Sequence, residues 1–250
     1  FPAGDEYTPL WTQLAAGRTC LMFGEAADGA QVFASDVRWD SGAWSLQLNT
    51  PQGAASVQLH IAGRHNVRNA LAAAASAHAA GVSLASIAKG LSAFEPVTGR
   101  SRALAVQVNA QSVTVVDDTY NANPDSVAAA IAVLAELPAP QLLVLGDMGE
   151  VGDNGPQFHA EAGELARQAG IAHFFALGEQ SRFAATAFGS TAQHFESMTA
   201  LQQAVCAVLP KVGSVLVKGS RFMKMEQVVQ SIEACADGKQ GNCGEASTCC

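Results

Sequence analysis

The stretch Val113-Thr114-Val115-Val116-Asp117-Asp118-Thr119-Tyr120-Asn121-Ala122-Asn123-Pro124 decides the fold of this chain. Its first four residues are β-branched, which favours a strand. The Asn-Pro pair at its end is typical of a helix start, with Asn123 as the N-cap and Pro124 in the first helical position. A strand that leads through a polar turn into a helix is the repeating unit of parallel sheets.

The same alternation continues on both sides of this stretch. Short apolar runs predict strands, and amphipathic segments between them predict helices. The predicted strands are 104–108, 112–117, 142–145, 173–177 and 215–217, and the predicted helices are 124–137, 156–169, 181–187, 198–208 and 223–234. This pattern indicates an α/β fold with a doubly wound, mostly parallel sheet. Ligands of such folds bind beyond the carboxyl ends of the strands.

The first part of the chain has a different pattern. Four loosely alternating segments predict antiparallel strands, at 19–23, 30–34, 43–48 and 54–59. An alanine-rich helix is predicted over 66–80, and a second helix is predicted to follow it and to be capped by Ser83. Pro96 and Gly99 then indicate a linker. We therefore predict domains at 1–96 and 97–235, followed by a flexible tail at 236–250.

Charge and hydropathy exclude two classes of partner. The formal net charge is -8, from 14 Lys plus Arg against 22 Asp plus Glu. This balance offers no basic surface for a phosphate backbone, so we expect no nucleic-acid partner. The longest apolar stretch, near 70–80, falls short of the roughly 20 residues of a membrane span, so we expect no membrane insertion.

The start of the chain and its cysteines bear on processing and compartment. The chain begins at Phe1 with neither an initiator Met nor a signal-peptide pattern, so a truncated beginning is the simplest interpretation. Its six cysteines form no C-x-x-C pair, and we interpret them as reduced thiols of a cytoplasmic protein. Three of them fall in the tail, where a metal-binding or intermolecular disulfide role stays open.

Polar residues that follow the strands are the candidate site. Asp118, Tyr120 and Asn121 are not explained by capping, which favours a functional role, whereas capping already accounts for Asn123. The segment Lys218-Gly219-Ser220 belongs to a cluster of three cations within seven residues at a strand end. It predicts an anion site at a helix start, although a helix start with incidental charge is the alternative.

Further candidates lie outside these two segments. Arg100 in the linker could reach a phosphate between the domains, although a solvated arginine is the default there. Asn66 and Asn69 share one helix face, and their amides can both donate to and accept from an adenine edge, but Asn66 could simply be a cap. The loop 146–152 is either a substrate loop or a solvated one, and we expect a surface role for His159.

Together these segments resemble the Mur ligase family of ATP-dependent peptidoglycan enzymes. The resemblance is carried by five motifs that follow one another in the family's order. They are Gly63-Arg64-His65-Asn66-Val67-Arg68-Asn69-Ala70, Pro96-Val97-Thr98-Gly99-Arg100, Val116 to Pro124, Leu145-Gly146-Asp147-Met148-Gly149-Glu150-Val151-Gly152 and Val217-Lys218-Gly219-Ser220-Arg221. Three of them, beginning at Val116, Leu145 and Val217, narrow the resemblance to the member that joins D-alanyl-D-alanine to UDP-N-acetylmuramoyl-tripeptide.

The resemblance implies an architecture and a chemistry. Residues 1–96 would be the end of a central ATP-binding domain, and 97–235 a Rossmann-like carboxy-terminal domain. ATP would phosphorylate the tripeptide carboxylate, and the dipeptide amine would attack the acyl phosphate, in a cytoplasmic enzyme that we expect to be a monomer. By motif, Asn66 and Asn69 would hold adenine, Asp118 the ribose and Arg100 a phosphate. Arg100 and Lys218 are the catalytic candidates. The dipeptide site would comprise Tyr120, Asn121, Asn123, Lys218, Gly219 and Ser220.

The sequence also departs from the family pattern. No G-x-x-x-x-G-K-[ST] phosphate loop occurs in these 250 residues. The Mg²⁺ ligands that the resemblance implies would lie upstream of Phe1, so we predict no metal ligand in this chain. Two alternatives stay open, namely a non-catalytic nucleotide- or peptide-binding module and another ligase of the superfamily, such as folylpolyglutamate synthase.

Overall fold

The computed structural model describes residues 1–40, 42–109 and 111–236. The chain forms two compact units, Phe1–Pro96 and Val97–Cys250. Within the described ranges, no helix has both the length and the apolar character needed to cross a bilayer. The predicted tail lies outside the described residues except for Ala236, which ends the last helix.

The first unit is a four-stranded sheet with helices packed against it. Its elements are α1 (Thr8–Leu14), β1 (Phe23–Gly24), β2 (Val32–Asp40), β3 (Ala43–Thr50), β4 (Gly53–Leu59), α2 (His65–Ala79) and α3 (Leu84–Ser92). The strands lie in the order β1-β2-β3-β4. Alternate residues of β3 and β4, including Leu46, Leu48 and Val57, form a core with Val67 and Leu71 of α2. The helix start at Ser83 is confirmed, because its hydroxyl accepts a hydrogen bond from the Ser86 amide.

The beginning of this unit differs from its prediction. β1 has only two residues and pairs parallel to β2, not antiparallel, because the 3₁₀ turn Ala26–Asp28 and the left-handed Gly29 carry the chain back before β2 begins. β2 also extends to Asp40, well beyond the predicted 30–34. Helix α1 was not predicted. It buries none of its residues, so it lacks the core-facing stripe on which such predictions depend.

The second unit is a six-stranded sheet with helices on both faces. Its elements are β5 (Arg102–Val108), β6 (Gln111–Asp118), α4 (Pro124–Ala135), β7 (Gln141–Gly146), α5 (Gly155–Gln168), β8 (His173–Leu177), α6 (Ser181–Phe188), β9 (Ala192–Phe195), α7 (Met198–Val208), β10 (Ser214–Lys218) and α8 (Glu226–Ala236). The strand order is β5-β6-β10-β7-β8-β9. Every residue of β7 and β10 is buried, as expected for central strands of a covered sheet. The predicted doubly wound, mostly parallel α/β fold is confirmed.

Strand β5 is the antiparallel member of this sheet. Arg102 pairs with Asp117, so β5 begins where β6 ends. The segment that leads into β5 therefore meets the sheet at its carboxyl edge. This is the edge at which the parallel strands present their following loops, and residues 99–101 lie there.

Two helical predictions and one omission need correction. Strand β9 was missed because it is a short edge strand with two exposed residues, and edge strands lack a continuous apolar run. The last helix begins at Glu226, not 223, because a 3₁₀ turn at Arg221–Met223 and a left-handed Lys224 (φ 51°) precede it. The expectation that an α-helix begins directly after Gly219-Ser220 is therefore wrong, and the anion site there stays a prediction.

The assignment of all cysteines as reduced thiols is also wrong. Cys206 of α7 and Cys235 of α8 form a disulfide that joins the two helices. The helices pack side by side, which brings the two Cα atoms to 6.3 Å, within the range a disulfide spans. Cys20 is exposed and unpaired, and Cys243, Cys249 and Cys250 lie outside the described residues.

Candidate functional site at the carboxyl edge of the second sheet

Lys218 and Asp118 form an ion pair across two neighbouring strands. The residues are register partners at the carboxyl ends of β10 and β6. Lys218 Nζ donates to Asp118 Oδ2 at 2.6 Å and to the carbonyl of Asn121 at 2.9 Å. The side chains are only 3% and 16% exposed. The lysine therefore fixes both the strand end and the start of the following loop, and it is not a free cation at the surface.

The second carboxylate, that of Asp117, is turned inward. It is 2% exposed, and it accepts hydrogen bonds from the Gly99 amide at 3.1 Å and the Thr119 hydroxyl at 2.6 Å. Asp118 Oδ1 similarly accepts from the Ser101 amide at 2.9 Å. The two acids therefore attach residues 99–101 to the end of β6, and Asp117 is structural.

Gly99 allows this attachment to be close. Its φ is +80°, and a Cβ atom there would lie 2.9 Å from the Tyr120 amide nitrogen. Its carbonyl accepts a hydrogen bond from that amide at 2.9 Å. A side chain at this position would separate the linker from the strand edge.

Arg100 and Tyr120, which were predicted separately, lie together. The guanidinium carbon lies 4.2 Å from the centre of the Tyr120 ring, so the two side chains form a cation–π pair. Tyr120 is 45% exposed, and Arg100 is exposed as well. Stacking restricts the guanidinium while its donors remain accessible. The pair can therefore present a positioned positive charge to an anionic ligand.

The two asparagines of the following loop have separate roles. Asn121 Oδ1 accepts from the Ala122 amide at 2.9 Å, and the residue is exposed. Asn123 is the N-cap of α4, where it forms a reciprocal capping box with Ser126, so its predicted capping role is confirmed. The predicted substrate role of Asn123 stays a prediction.

Gly219 and Ser220 are held by packing and hydrogen bonds. A Cβ atom at Gly219 would lie 2.6 Å from Cγ of Met225 and 3.1 Å from Cα of Gly146. Ser220 is 3% exposed, and its Oγ accepts from the Gly149 amide at 2.6 Å and donates to the Ala122 carbonyl at 3.2 Å. Their structural roles are thus sufficient to explain both residue types, and direct substrate contact stays a prediction.

The loop 146–152 is anchored from within the fold. Asp147 is buried, and its carboxylate accepts from the amides of Gln180 and Ser181 at the start of α6. The Met148 amide donates to His159 Nε2 at 2.9 Å. His159 is 0% exposed, so the expected surface role is wrong. Its position on α5 accounts for this, because it shares the buried face with Ala162 and Ala166.

Asn66 and Asn69 belong to the first unit and are described separately from the strand edge. Asn69 Nδ2 donates to Asn66 Oδ1 at 3.1 Å, and Asn66 Nδ2 donates to the Ala62 carbonyl at 2.7 Å. The N-cap of α2 is Arg64, so the alternative that Asn66 is the cap is wrong. Asn69 is exposed, and its amide orientation is fixed by Asn66. This donor and acceptor chemistry fits an adenine edge.

The described residues lack a clustered set of metal ligands. Within them, no group of three or more His, Cys, Asp or Glu side chains could hold a metal ion. The described side chains therefore provide no all-protein cage for a resident Mg²⁺.

Comparison with known proteins identifies the family. The family model described as Mur ligase, glutamate ligase domain matches residues 99–221, and the Mur ligase middle domain model matches residues 1–77. This chain belongs to the Mur ligase family. The UDP-N-acetylmuramoyl-tripeptide–D-alanyl-D-alanine ligase of Escherichia coli (strain K12) is 37% identical to this Mur ligase chain over 225 residues. The match covers 89% of the chain and 49% of that protein.

Solved structures agree with this assignment. A MurF crystal structure from Acinetobacter baumannii superposes on this Mur ligase chain with a TM-score of 0.71 and 33% identity, and the match covers 93% of this chain and 51% of that one. MurF from Thermotoga maritima in complex with ADP has the same fold, with a TM-score of 0.67 and 20% identity over 93% of this chain and 53% of that one. The chain spans about half the length of the curated relatives it matches.

Proposed function

We propose that this chain is part of an ATP-dependent ligase that joins D-alanyl-D-alanine to UDP-N-acetylmuramoyl-tripeptide in the cytoplasm. The observation that carries the proposal is the cluster at one strand edge, where Arg100 stacks on Tyr120 and Lys218 pairs with Asp118. The cluster lies in a chain that is 37% identical to an Escherichia coli ligase of this name.

We assign nucleotide contacts to four residues. Asn66 and Asn69 would bind adenine, since their amides are aligned by the bond between them. Asp118 would accept from the ribose, and Arg100 would contact a phosphate. ATP, when bound, supplies the phosphoryl group that activates the tripeptide carboxylate. The Thermotoga maritima relative was solved in complex with ADP, the nucleotide that remains when ATP has given up its terminal phosphoryl group. Mg²⁺ would be held by residues outside this chain.

The dipeptide would bind at the loops that follow β6 and β10. Tyr120 and Asn121 are exposed there, whereas Asn123, Gly219 and Ser220 shape the backbone between them. Lys218 orients the Asn121 carbonyl and balances the charge of Asp118. Positioned charges of this kind stabilise charge that develops during acyl and phosphoryl transfer. The protein would act as a monomer.

A phosphate-release assay tests the proposal. The protein is expressed with all coding sequence in frame with this chain and supplied with ATP, the UDP-linked tripeptide and D-alanyl-D-alanine. We expect phosphate and ligated product only when all three are present. Turnover with folate and glutamate alone would indicate a different ligase of the superfamily. Binding of nucleotide or dipeptide without turnover, in a frame that encodes no phosphate loop, would indicate a non-catalytic module.

A further inference from the structure

His159 is the fully buried histidine of α5, and both of its ring nitrogens are used. Nδ1 lies 2.7 Å from the Gly155 carbonyl, which can only accept, so Nδ1 carries the proton. Nε2 is then the acceptor for the Met148 amide at 2.9 Å. The Nδ1 bond to its own helix thus fixes the orientation of the imidazole. Nε2 in turn holds the backbone of loop 146–152.

From Met148 a continuous series of bonds leads to the strand edge. The next amide, that of Gly149, donates to Ser220 Oγ at 2.6 Å, and Ser220 Oγ donates to the Ala122 carbonyl at 3.2 Å. Lys218 Nζ donates to the carbonyl of the preceding residue, Asn121, at 2.9 Å. The loops that follow β6, β7 and β10 are therefore joined through the buried side chains of Ser220 and Lys218.

We propose that His159 is a positioning residue whose Nε2 sets the backbone at 148–149, so that Ser220 holds the loop carrying Asn121 against Lys218. The Met148 amide donates its hydrogen bond to this nitrogen. Met148 is itself 2% exposed, so loss of the imidazole leaves a buried N–H group without a partner. Asp147 holds the same loop by accepting a hydrogen bond from the start of α6. His159 therefore controls residues 148 and 149 and not the whole loop.

The proposal is tested first on the 250-residue chain, without any activity measurement. The variant His159→Leu removes the acceptor, whereas His159→Gln can place its amide oxygen where Nε2 lies. Amide hydrogen exchange is followed at Met148 and Gly149, with Phe175 of β8 as the reference for the intact fold. We expect exchange at both amides to quicken by about tenfold or more in His159→Leu and by less than about threefold in His159→Gln. Unchanged exchange in His159→Leu, or equal exchange in both variants, would overturn the proposal.

A second variant covers the case in which His159→Leu does not fold. Ser220→Ala removes the acceptor of the Gly149 amide but leaves the His159 bond in place. We expect faster exchange at Gly149 by about tenfold while Met148 stays protected. Loss of protection at both amides would show that Ser220, and not His159, sets this backbone. A ¹⁵N spectrum of the histidine ring that places the proton on Nε2 would also overturn the proposal.

The consequence for catalysis rests on the proposed function. In the complete ligase, His159→Leu is expected to raise the KM for the dipeptide by about tenfold with a smaller change in the KM for ATP, and His159→Gln to restore it. If the parent protein shows no ligase activity, the proposed function fails while the exchange experiment still decides the role of His159.

Discussion

Lys218 Nζ lies 2.6 Å from Asp118 Oδ2, although the two residues are 100 positions apart in the chain. The pair joins β10 to β6 at the edge where the candidate site lies. Both side chains are largely buried, so each charge depends on the other for compensation. The pair is therefore a stability element as well as a candidate catalytic one.

Replacement of Lys218 should destabilise the second unit. Lys218→Met leaves Asp118 partly buried without its cation, and we expect the free energy of unfolding to fall by about 3 kcal/mol. Urea unfolding followed by circular dichroism measures the change. The three tryptophans lie in the first unit, so their fluorescence provides an internal reference. The exposed Lys211→Met is the matched control, and an equal loss in that variant would contradict the role of the pair.

Under the proposed function, Arg100 should be needed for turnover. Arg100→Ala removes the stacked guanidinium, and we expect the rate to fall by on the order of 100-fold. Arg100→Lys should recover little, because an ammonium group cannot reproduce the planar fork. Tyr120→Phe keeps the ring and should retain most of the rate. Arg167→Ala, at an exposed arginine paired with Glu164, is the control; a similar loss there would argue against a specific role.

Substitutions at Asn123 can separate its capping role from its proposed contact with the dipeptide. Asn123→Ala should lower the free energy of unfolding by about 1 kcal/mol through loss of the α4 cap, whereas Asn123→Ser keeps a capping oxygen. Thermal unfolding of the two variants measures this difference. The KM of the Asn123→Ser variant for the dipeptide then measures any contribution of the Asn123 side chain to substrate binding. An unchanged KM would remove Asn123 from the proposed dipeptide site.

The 250-residue chain by itself should not hydrolyse ATP. It contains no G-x-x-x-x-G-K-[ST] loop to cradle the phosphates, and its described residues provide no metal cluster. Phosphate release should therefore equal that of a buffer blank, and nucleotide binding by calorimetry should be weak. ATP-dependent turnover by the purified chain would refute this expectation.

The Cys206–Cys235 disulfide should stabilise the second unit. It closes a separation of 29 residues, for which chain entropy predicts about 3.6 kcal/mol of stabilisation. The double variant Cys206→Ser/Cys235→Ser should lose that amount in urea unfolding followed by circular dichroism. Reductant should lower the stability of the wild type and leave the double variant unchanged. A reductant effect of equal size in both proteins would point to other cysteines.

The second unit was predictable from local signals. The β6–α4 segment carries a β-branched run, a capping asparagine and a proline at N1, and each of these acts within a few residues. Strand β9 and helix α1 bury too little apolar surface to leave such a pattern. The 3₁₀ turn before α8 was missed for another reason, since helical spacing does not reveal a left-handed residue such as Lys224.

The candidate site was predictable in its members but not in its contacts. Arg100, Tyr120, Asp118 and Lys218 were identified from their segments, yet no local pattern contains their pairing. The Lys218–Asp118 pair depends on the register between β10 and β6, and the Arg100–Tyr120 pair depends on β5 beginning where β6 ends. His159 is a different case. Its spacing of four from Gly155 and three from Ala162 placed it on the buried face of α5, and that signal was available.

Because β5 runs antiparallel to β6, the carboxylate of Asp118 binds two separate segments of the chain. Because β5 starts at the carboxyl edge, Asp118 holds Ser101 of the connecting segment with one oxygen and Lys218 with the other. A ligand that recruits Asp118 must share it with the segment that leads into β5. Binding of a ligand to Asp118 should therefore change the environment of this segment, and a spectroscopic probe placed near Ser101 should detect that binding.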